Sequence, residues 1–174
     1  MKIGIFSDTH DNVKNIAKAR KVFERNEVEI CLFCGDLVSP SNLKVLKNWP
    51  FPIKAIFGNN EGDHWGIARR FKQYNITNIE YPKRGLSWKL ELDSKKIATF
   101  HGHSPVITEA LTNCGIYDLV CTGHDHEPKI KQVEKTLWVN PGSVTGWSEN
   151  PEITRGSVVV YDTQKHEAKI IYLP

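Results

Sequence analysis

Seven side chains that can bind a metal ion follow five short apolar runs spread over most of this chain. The runs, with the residues that follow them, are KIGIFSDTH, EICLFCGD, IKAIFGNN, KIATFHGH and DLVCTGHDH. The seven side chains are those of Asp8, His10, Asp36, Asn59, His101, His124 and His126. Five such junctions predict that several strands end at one mouth of a sheet structure that holds metal. Mixed oxygen and nitrogen ligands suit manganese, iron, nickel or zinc better than calcium or magnesium.

Composition is that of an ordinary globular protein. The 174 residues fit one domain, 1–174, and 40% of them are hydrophobic and 25% charged. A net charge of +3 is too balanced to predict binding to nucleic acid or to a membrane. The first residues lack the pattern of a signal peptide, and no apolar run approaches the ~18–20 residues of a membrane span. We therefore expect a cytoplasmic protein.

The order of the predicted elements indicates an α/β fold. The N-terminal third alternates strands and helices, and its continuous apolar runs predict a parallel sheet covered on both faces. Residues 65–74 have helical periodicity, the segments SWKLELD and KKIATF predict a hairpin, and Ser104-Pro105 predicts a helix start. The C-terminal third is rich in strands, which we expect to be antiparallel. Two packed sheets with helices outside would accommodate this order.

Each candidate ligand taken alone has a simpler explanation. Asp8 could cap a helix, and Asp36 and Asn59 could belong to turns after glycine. The His-x-His units at 101–103 and 124–126 are harder to explain in this way, because each directly follows an apolar run. The joint pattern therefore favours a metal site over the separate explanations.

Other chemistries have weaker support. Cys31 and Cys34 have the spacing of redox or zinc sites, but they lie inside the apolar run EICLFCGD. Residues three apart on a strand point to opposite faces, so we expect two buried free cysteines. The sequence contains no Gly-x-Ser-x-Gly elbow, no Gly-x-x-x-x-Gly-Lys phosphate loop and no Gly-x-Gly-x-x-Gly fingerprint.

The five motifs together resemble the signature of the calcineurin-like metallophosphoesterase superfamily. They are Asp8-Thr9-His10, Gly35-Asp36, Gly58-Asn59-Asn60, His101-Gly102-His103 and Gly123-His124-Asp125-His126, in the order found in that family. The short chain and the turn Asn140-Pro141-Gly142-Ser143 are similar to the small bacterial and archaeal phosphodiesterase branch. The sorting-complex subunit Vps29 is similar in size and fold.

The resemblance implies a four-layer αββα sandwich of two mixed β-sheets flanked by helices, with a dinuclear metal site at one edge. One divalent ion (manganese, nickel, iron or zinc) would then be held by Asp8, His10, Asp36 and His126. The second would be held by Asp36, Asn59, His101 and His124, so Asp36 would bridge the two ions. The implied activity is hydrolysis of a phosphate ester by a water or hydroxide shared between the ions.

Asn60 departs from the family pattern, because many members have histidine after the Gly-Asn asparagine. Asparagine can donate a hydrogen bond but cannot deliver a proton. We therefore expect weaker catalysis on poor leaving groups unless His103 or His64 substitutes, and we take Asn60 and His103 as the candidate catalytic residues. Further candidates for a place near the phosphate are Asn140, Ser143 and Arg155.

The function that the sequence favours is that of a metal-dependent phosphodiesterase acting on a small phosphodiester, since no long insertion encloses a particular substrate. A phosphomonoesterase for nucleotides or proteins is the nearest alternative. A non-catalytic scaffold of the Vps29 kind would be expected to have lost ligands.

A nucleic-acid substrate has no support from a clustered basic stripe. The chain could be a monomer or a homo-oligomer, and Trp147, in a turn-rich segment, is a candidate for exposure.

Overall fold

The computed structural model describes residues 1–83 and 86–174. The strands in these ranges are β1 (Lys2–Phe6), β2 (Ile30–Phe33), β3 (Ile53–Ala55), β4 (Ile79–Glu80), β5 (Ser87–Leu92), β6 (Lys95–Phe100), β7 (Leu119–Cys121), β8 (Pro128–Val133), β9 (Thr136–Pro141), β10 (Ser157–Asp162) and β11 (Glu167–Tyr172). The helices are α1 (Val13–Arg25), α2 (Leu43–Leu46), α3 (His64–Tyr74) and α4 (Pro105–Asn113), and a 3₁₀ turn, Pro40–Asn42, precedes α2. None of these helices is long and apolar enough to cross a membrane.

Two mixed sheets form the centre of the molecule. The first has the strand order β11-β10-β1-β2-β3-β4, in which β1 to β4 run parallel and β10 runs antiparallel to β1. The second has the order β5-β6-β7-β9-β8, in which β6, β7 and β9 run parallel. Its edge strands β5 and β8 pair antiparallel with their neighbours. The predicted α/β class with two mixed sheets is confirmed.

Buried side chains separate the molecule into four layers. Helices α1 to α3 cover the first sheet through an aromatic cluster in which the Phe6 ring lies 6.0 Å from Phe23 and 4.9 Å from Trp49. A second apolar cluster, which includes Ile5 and Val139, fills the space between the two sheets. Helix α4 packs against β9 of the second sheet. The layers therefore follow the predicted order αββα.

Side chains that cap the helix backbone mark the starts of α1 and α3. The Asn12 side chain accepts a hydrogen bond from Asn15 N at the start of α1, and the Asp63 side chain accepts one from Gly66 N at the start of α3. Cys31 and Cys34 are free and buried, and they belong to the two different apolar clusters. Cys31 in β2 and Cys34 directly after it thus face opposite sides of the first sheet, which confirms the structural explanation of their spacing.

The prediction that the strands of the C-terminal third are antiparallel was only partly correct. Strands β8 and β9 form the expected hairpin, but β9 also pairs parallel with β7. The hairpin of β10 and β11 joins the first sheet instead, beside β1. Alternation of apolar residues shows which face of a strand is buried, but it does not show which strand becomes its neighbour.

Tight turns occupy one end of the sandwich. Asp162, the last residue of β10, pairs with Lys2 at the start of β1, so the turn at 163–166 lies at the end opposite to Asp8. The turn that leads into β6 contains Asp93, whose carboxylate contacts the Thr163 hydroxyl. The other end of both sheets is therefore left to the loops that follow β1, β2, β3, β6 and β7.

Candidate metal centre

All seven predicted metal ligands lie in loops that follow parallel strands. They follow β1 (Asp8, His10), β2 (Asp36), β3 (Asn59), β6 (His101) and β7 (His124, His126). Within each sheet these strands are parallel, so their carboxyl ends lie together. The contact between His101, which follows β6, and Cys34, which follows β2, places the carboxyl ends of both sheets at one end of the sandwich. The first sheet supplies both carboxylates and the amide, and the second supplies three of the four imidazoles.

The ligand atoms form two overlapping groups. Atoms of Asp8, His10 and His126 lie within 4.8 Å of one another, and so do atoms of Asp8, Asp36 and His101. The Asp36 carboxylate reaches both groups, since its Oδ2 lies 3.5 Å from His10 Nε2 and its Oδ1 lies 3.4 Å from His101 Nε2. The two imidazoles of the first group approach to 3.1 Å between His10 Nε2 and His126 Nε2.

His124 and Asn59 lie next to the second group. His124 Nδ1 is 2.9 Å from Asn59 Oδ1, and the rings of His124 and His101 are 5.3 Å apart between centroids. His124 is exposed, whereas His101 is buried. The structure thus brings all seven predicted residues together, and the assignment of each ligand to a particular ion stays a prediction.

Backbone carbonyls fix the tautomers of two of the imidazoles. His101 Nδ1 donates to the Cys34 carbonyl at 2.7 Å, and His126 Nδ1 donates to the Trp147 carbonyl at 2.9 Å. With the proton held on Nδ1, the lone pair on Nε2 points into the cluster. Histidine ligands in metalloproteins are commonly oriented by such hydrogen bonds.

Two buried polar atoms at the centre support the fit of the site to metal. Asp8 Oδ1 and His101 Nε2 are 3.9 Å apart, and neither has a hydrogen-bond partner within residues 1–83 and 86–174. An unsatisfied buried polar group costs about 1–3 kcal/mol. A cation between them would satisfy both atoms, and the mixed carboxylate, amide and imidazole donors suit divalent transition metals.

The two carboxylates are held in their charged form. Burial alone would raise the pKa of Asp8, but the imidazoles of His10 and His126 outweigh burial and lower this pKa to about 2. Burial likewise opposes ionisation of Asp36, but His101 and Asn60 hold the pKa of Asp36 well below its usual range. Charged oxygens are the form that binds a cation, so the site is prepared for metal at neutral pH.

Five of the seven candidate ligands have left-handed backbone conformations. They are Asp8 (φ 53°), His10 (φ 33°), Asp36 (φ 62°), His124 (φ 78°) and His126 (φ 60°). Residues other than glycine adopt this region rarely, and each instance costs on the order of 1–3 kcal/mol. Strain of this kind clusters at functional sites, where the surrounding structure imposes it. The backbone therefore marks the same residues as the sequence motifs do.

Glu61 supports the site, although the sequence did not single it out. Its Oε1 accepts from Leu37 N at 2.9 Å and its Oε2 accepts from Gly58 N at 2.7 Å. One side chain therefore ties the loop of Asp36 to the loop of Asn59. Burial raises the pKa of Glu61 to about 7, with a further contribution from the charge of Asp36. The only feature of the sequence that could have pointed to Glu61 is its position two residues after the candidate ligand Asn59.

The turn after β9 also supports the ligand loops. Asn140 is fully buried and its Nδ2 donates to the Gly123 carbonyl at 2.9 Å, next to His124. Ser143 Oγ donates to the Asp8 carbonyl at 2.9 Å. Arg155 donates to the Leu173 carbonyl through its guanidinium. These three residues thus make structural contacts, and the place near the phosphate that the sequence suggested for them stays a prediction.

Both candidate catalytic residues border the cluster. Asn60 donates to Asp36 through its backbone N (2.9 Å to Oδ1) and its Nδ2 (2.7 Å to Oδ2). His103 is exposed, and its ring centroid lies 5.8 Å from that of His101 and 6.3 Å from that of His124. His64, the other possible proton donor, instead stacks on Phe57 at 4.2 Å.

Gly58 provides a test of how closely the ligand loops pack. A Cβ at Gly58 would overlap the Asp36 carboxylate and lie 2.7 Å from Asp36 N. We expect Gly58→Ala to displace Asp36 and weaken manganese binding by about 10- to 100-fold, as changes around metal ligands do. Calorimetric titration of the metal-free protein measures this affinity. Gly62→Ala is the matched control, since a Cβ there meets no atom within 4 Å; equal affinity in both variants would contradict the expectation.

Comparison with known proteins identifies the class to which this fold and site belong. The chain matches the calcineurin-like phosphoesterase superfamily domain over residues 1–166, and it therefore belongs to that superfamily. A phosphodiesterase of Methanocaldococcus jannaschii is 35% identical over 173 residues, which cover 99% of both chains. A solved archaeal phosphodiesterase has a TM-score of 0.87 at 34% identity and covers 99% of this chain and 100% of that one.

A more distant likeness concerns the fold alone. Vacuolar protein sorting 29 of Cryptosporidium parvum has a TM-score of 0.66 at 17% identity, and the match covers 98% of this chain and 95% of that one. The predicted similarity to Vps29 in fold is thereby confirmed, together with the membership of the superfamily that the five motifs indicated.

Proposed function

We propose that this protein is a metal-dependent phosphodiesterase. The observation that carries the proposal is the Asp36 carboxylate, whose two oxygens face imidazoles of different groups, His10 and His101. A carboxylate that can reach two ions suits a two-metal site, and such sites catalyse in-line displacement at phosphorus. The name of the relative that is 35% identical over its full length supports the same activity.

The ligand set suits two divalent ions, for which manganese, nickel, iron and zinc are the candidates. The ligands of one would be Asp8, His10, Asp36 and His126, and those of the other Asp36, Asn59, His101 and His124. Ions at these positions would polarise the phosphate oxygens and lower the pKa of a water molecule, which makes a nucleophile available near neutral pH.

Asn60 would orient a metal ligand, and His103 would transfer protons. Asn60 Nδ2 holds Asp36 Oδ2 at 2.7 Å and so fixes the direction of the shared carboxylate. Partial desolvation and the neighbouring imidazoles of His101 and His124 lower the pKa of His103. A neutral His103 at the edge of the cluster can accept a proton from water, and the imidazolium formed in this way can pass that proton to a leaving group.

The charges around the site favour a diester over a monoester. A cavity of about 480 Å³ opens beside the cluster, and its lining includes His126, Asn60 and the carboxylates of Asp125, Glu127 and Glu149. A phosphodiester carries one negative charge, whereas a monoester carries nearly two at neutral pH. Carboxylates repel a dianion more strongly than a monoanion.

Metal titration tests the proposal. The metal-free protein is titrated with manganese, nickel, iron, zinc and magnesium, and turnover of bis(p-nitrophenyl) phosphate is compared with that of p-nitrophenyl phosphate. We expect metal-dependent turnover of the diester with kcat/KM about tenfold or more above that of the monoester, a difference of about 1.4 kcal/mol. Preference for the monoester would indicate a phosphomonoesterase. Metal binding without turnover of either ester would indicate a scaffold.

The remaining expectations from the sequence concern the partners and the location of the protein. A small phosphodiester is the proposed substrate, and no nucleic acid is proposed, since carboxylates rather than basic residues surround the cavity. The cytoplasmic location stays a prediction. The choice between monomer and homo-oligomer also stays a prediction, which light scattering of the purified protein would decide.

A further inference from the structure

Trp147 is an exposed aromatic residue at the cavity beside the metal centre. Its side chain is 62% exposed, yet it lines the cavity that also contains His10, His124 and His126. The indole packs edge-on against the His126 imidazole, with 5.3 Å between ring centroids and 83° between planes. A large aromatic ring at such a position is available for contact with a molecule that enters the cavity.

The backbone of Trp147 is fixed although its ring is free. Trp147 N donates to Thr145 Oγ1 at 3.0 Å, and the Trp147 carbonyl accepts from His126 Nδ1 at 2.9 Å. Thr145 is tied in turn to Ser143, whose hydroxyl also donates to the Asp8 carbonyl. The backbone that carries the indole is therefore fixed relative to the candidate ligands Asp8 and His126, and the ring could contact a substrate without further ordering of the loop.

The chemistry of the surrounding cavity limits what the indole could bind. Apart from Trp147 and the candidate site residues, the lining consists of the carboxylates Asp125, Glu127 and Glu149. Lys129, the nearby cation, contacts the Asp125 carboxylate. A second anionic group on the substrate would be repelled here, whereas a neutral planar group can stack on the exposed face of an indole.

We propose that Trp147 is a platform for an aromatic or heteroaromatic ester group of the substrate, the group that stays on phosphorus when the other ester bond breaks. The inference rests on the proposed phosphodiesterase function and specifies its substrate class. Trp147 would be a specificity-determining residue and would take no part in bond cleavage.

Two diesters with the same leaving group provide the test. Thymidine 5′-(p-nitrophenyl) phosphate and methyl p-nitrophenyl phosphate both release p-nitrophenolate, but only the first retains a heteroaromatic base. Kinetics in manganese are measured for the wild type, Trp147→Leu and Trp147→Phe. Trp65→Leu is the matched control, because Trp65 is 87% exposed and is not among the residues that line the cavity.

In Trp147→Leu we expect KM for the thymidine ester to rise about 5- to 150-fold, the range for loss of one base–aromatic stack. KM for the methyl ester and kcat for both esters should change little. Trp147→Phe, which keeps an aromatic ring, should recover most of the loss, and Trp65→Leu should behave as the wild type.

The two substrates are compared within each variant, so any loss of manganese affects both and cancels in the ratio of their KM values. An unchanged ratio in Trp147→Leu would overturn the inference and leave the phosphodiesterase activity standing. If the wild type hydrolysed neither ester with any of the metals, the proposed function itself would fail.

Discussion

Replacing Asp36 by asparagine is expected to lower kcat/KM for a phosphodiester about 1,000-fold or more. An asparagine side chain offers one oxygen and an NH₂ group that cannot bind a cation. It therefore cannot bind one ion beside His10 and a second ion beside His101 at the same time. Loss of one ion would remove several kcal/mol of charge stabilisation, and each 1.36 kcal/mol is a factor of ten in rate. We expect elemental analysis to show a decrease from about two ions per chain to about one.

The control for this substitution is Asp162→Asn. Asp162 accepts hydrogen bonds from Gln164 N and Lys165 N at the end of the sandwich opposite to the metal centre. An amide oxygen can accept the same bonds, so neither activity nor metal content should change. Circular dichroism of both variants verifies the fold. The bridging role of Asp36 would be wrong if Asp36→Asn kept both ions and the wild-type kcat/KM.

Replacing Asn60 by histidine is expected to accelerate the hydrolysis of diesters with poor leaving groups by about 100-fold. Asn60 borders the cavity and its side chain bonds to Asp36, but an amide cannot deliver a proton to a departing alkoxide. A positioned general acid contributes about 10²- to 10⁴-fold. Esters of p-nitrophenol should change little, because this leaving group departs without a proton and an imidazole N–H can replace the amide N–H that Asp36 accepts.

The measurement is the dependence of kcat on the pKa of the leaving group across a series of diesters. We expect a steep dependence in the wild type and a shallower one in Asn60→His. Asn60→Ala separates loss of the amide from gain of the imidazole, and it should be slow with every ester because Asp36 loses a hydrogen bond. The same slope in the wild type and in Asn60→His would show that another residue, such as His103, already supplies the proton.

Most of the fold could be predicted from the sequence because its local signals agree with one another. The apolar runs that became β1 and β2 are buried on both faces, as continuous patterns require. Asn12 and Asp63 mark the helix starts that their side chains cap. The neighbours of β9 and β10 were not predictable in this way, because pairing across the two sheets depends on contacts between segments far apart in the chain.

The candidate ligands could be predicted because polar residues after apolar strands are conspicuous, whereas their supports are not. Glu61 and Asn140 look like ordinary loop residues, and only the folded chain shows that they bond to the Gly58 and Gly123 backbone. The left-handed conformations of Asp8 and Asp36 leave no trace in the residue types, since glycine would be the usual choice there. The sequence did flag Trp147, but its place beside His126 came from the structure.

The turns at the far end of the sandwich have a practical consequence for immobilising the protein. The turn at 163–166 and the turn around Asp93 lie opposite to the ligand loops and contact each other. The protein could be attached to a surface at this end, for example through a biotin-acceptor peptide inserted after Gln164. The candidate metal centre would then face the flowing solution. Sensor chips prepared in this orientation would allow metal and ester binding to be followed on the same tethered molecules.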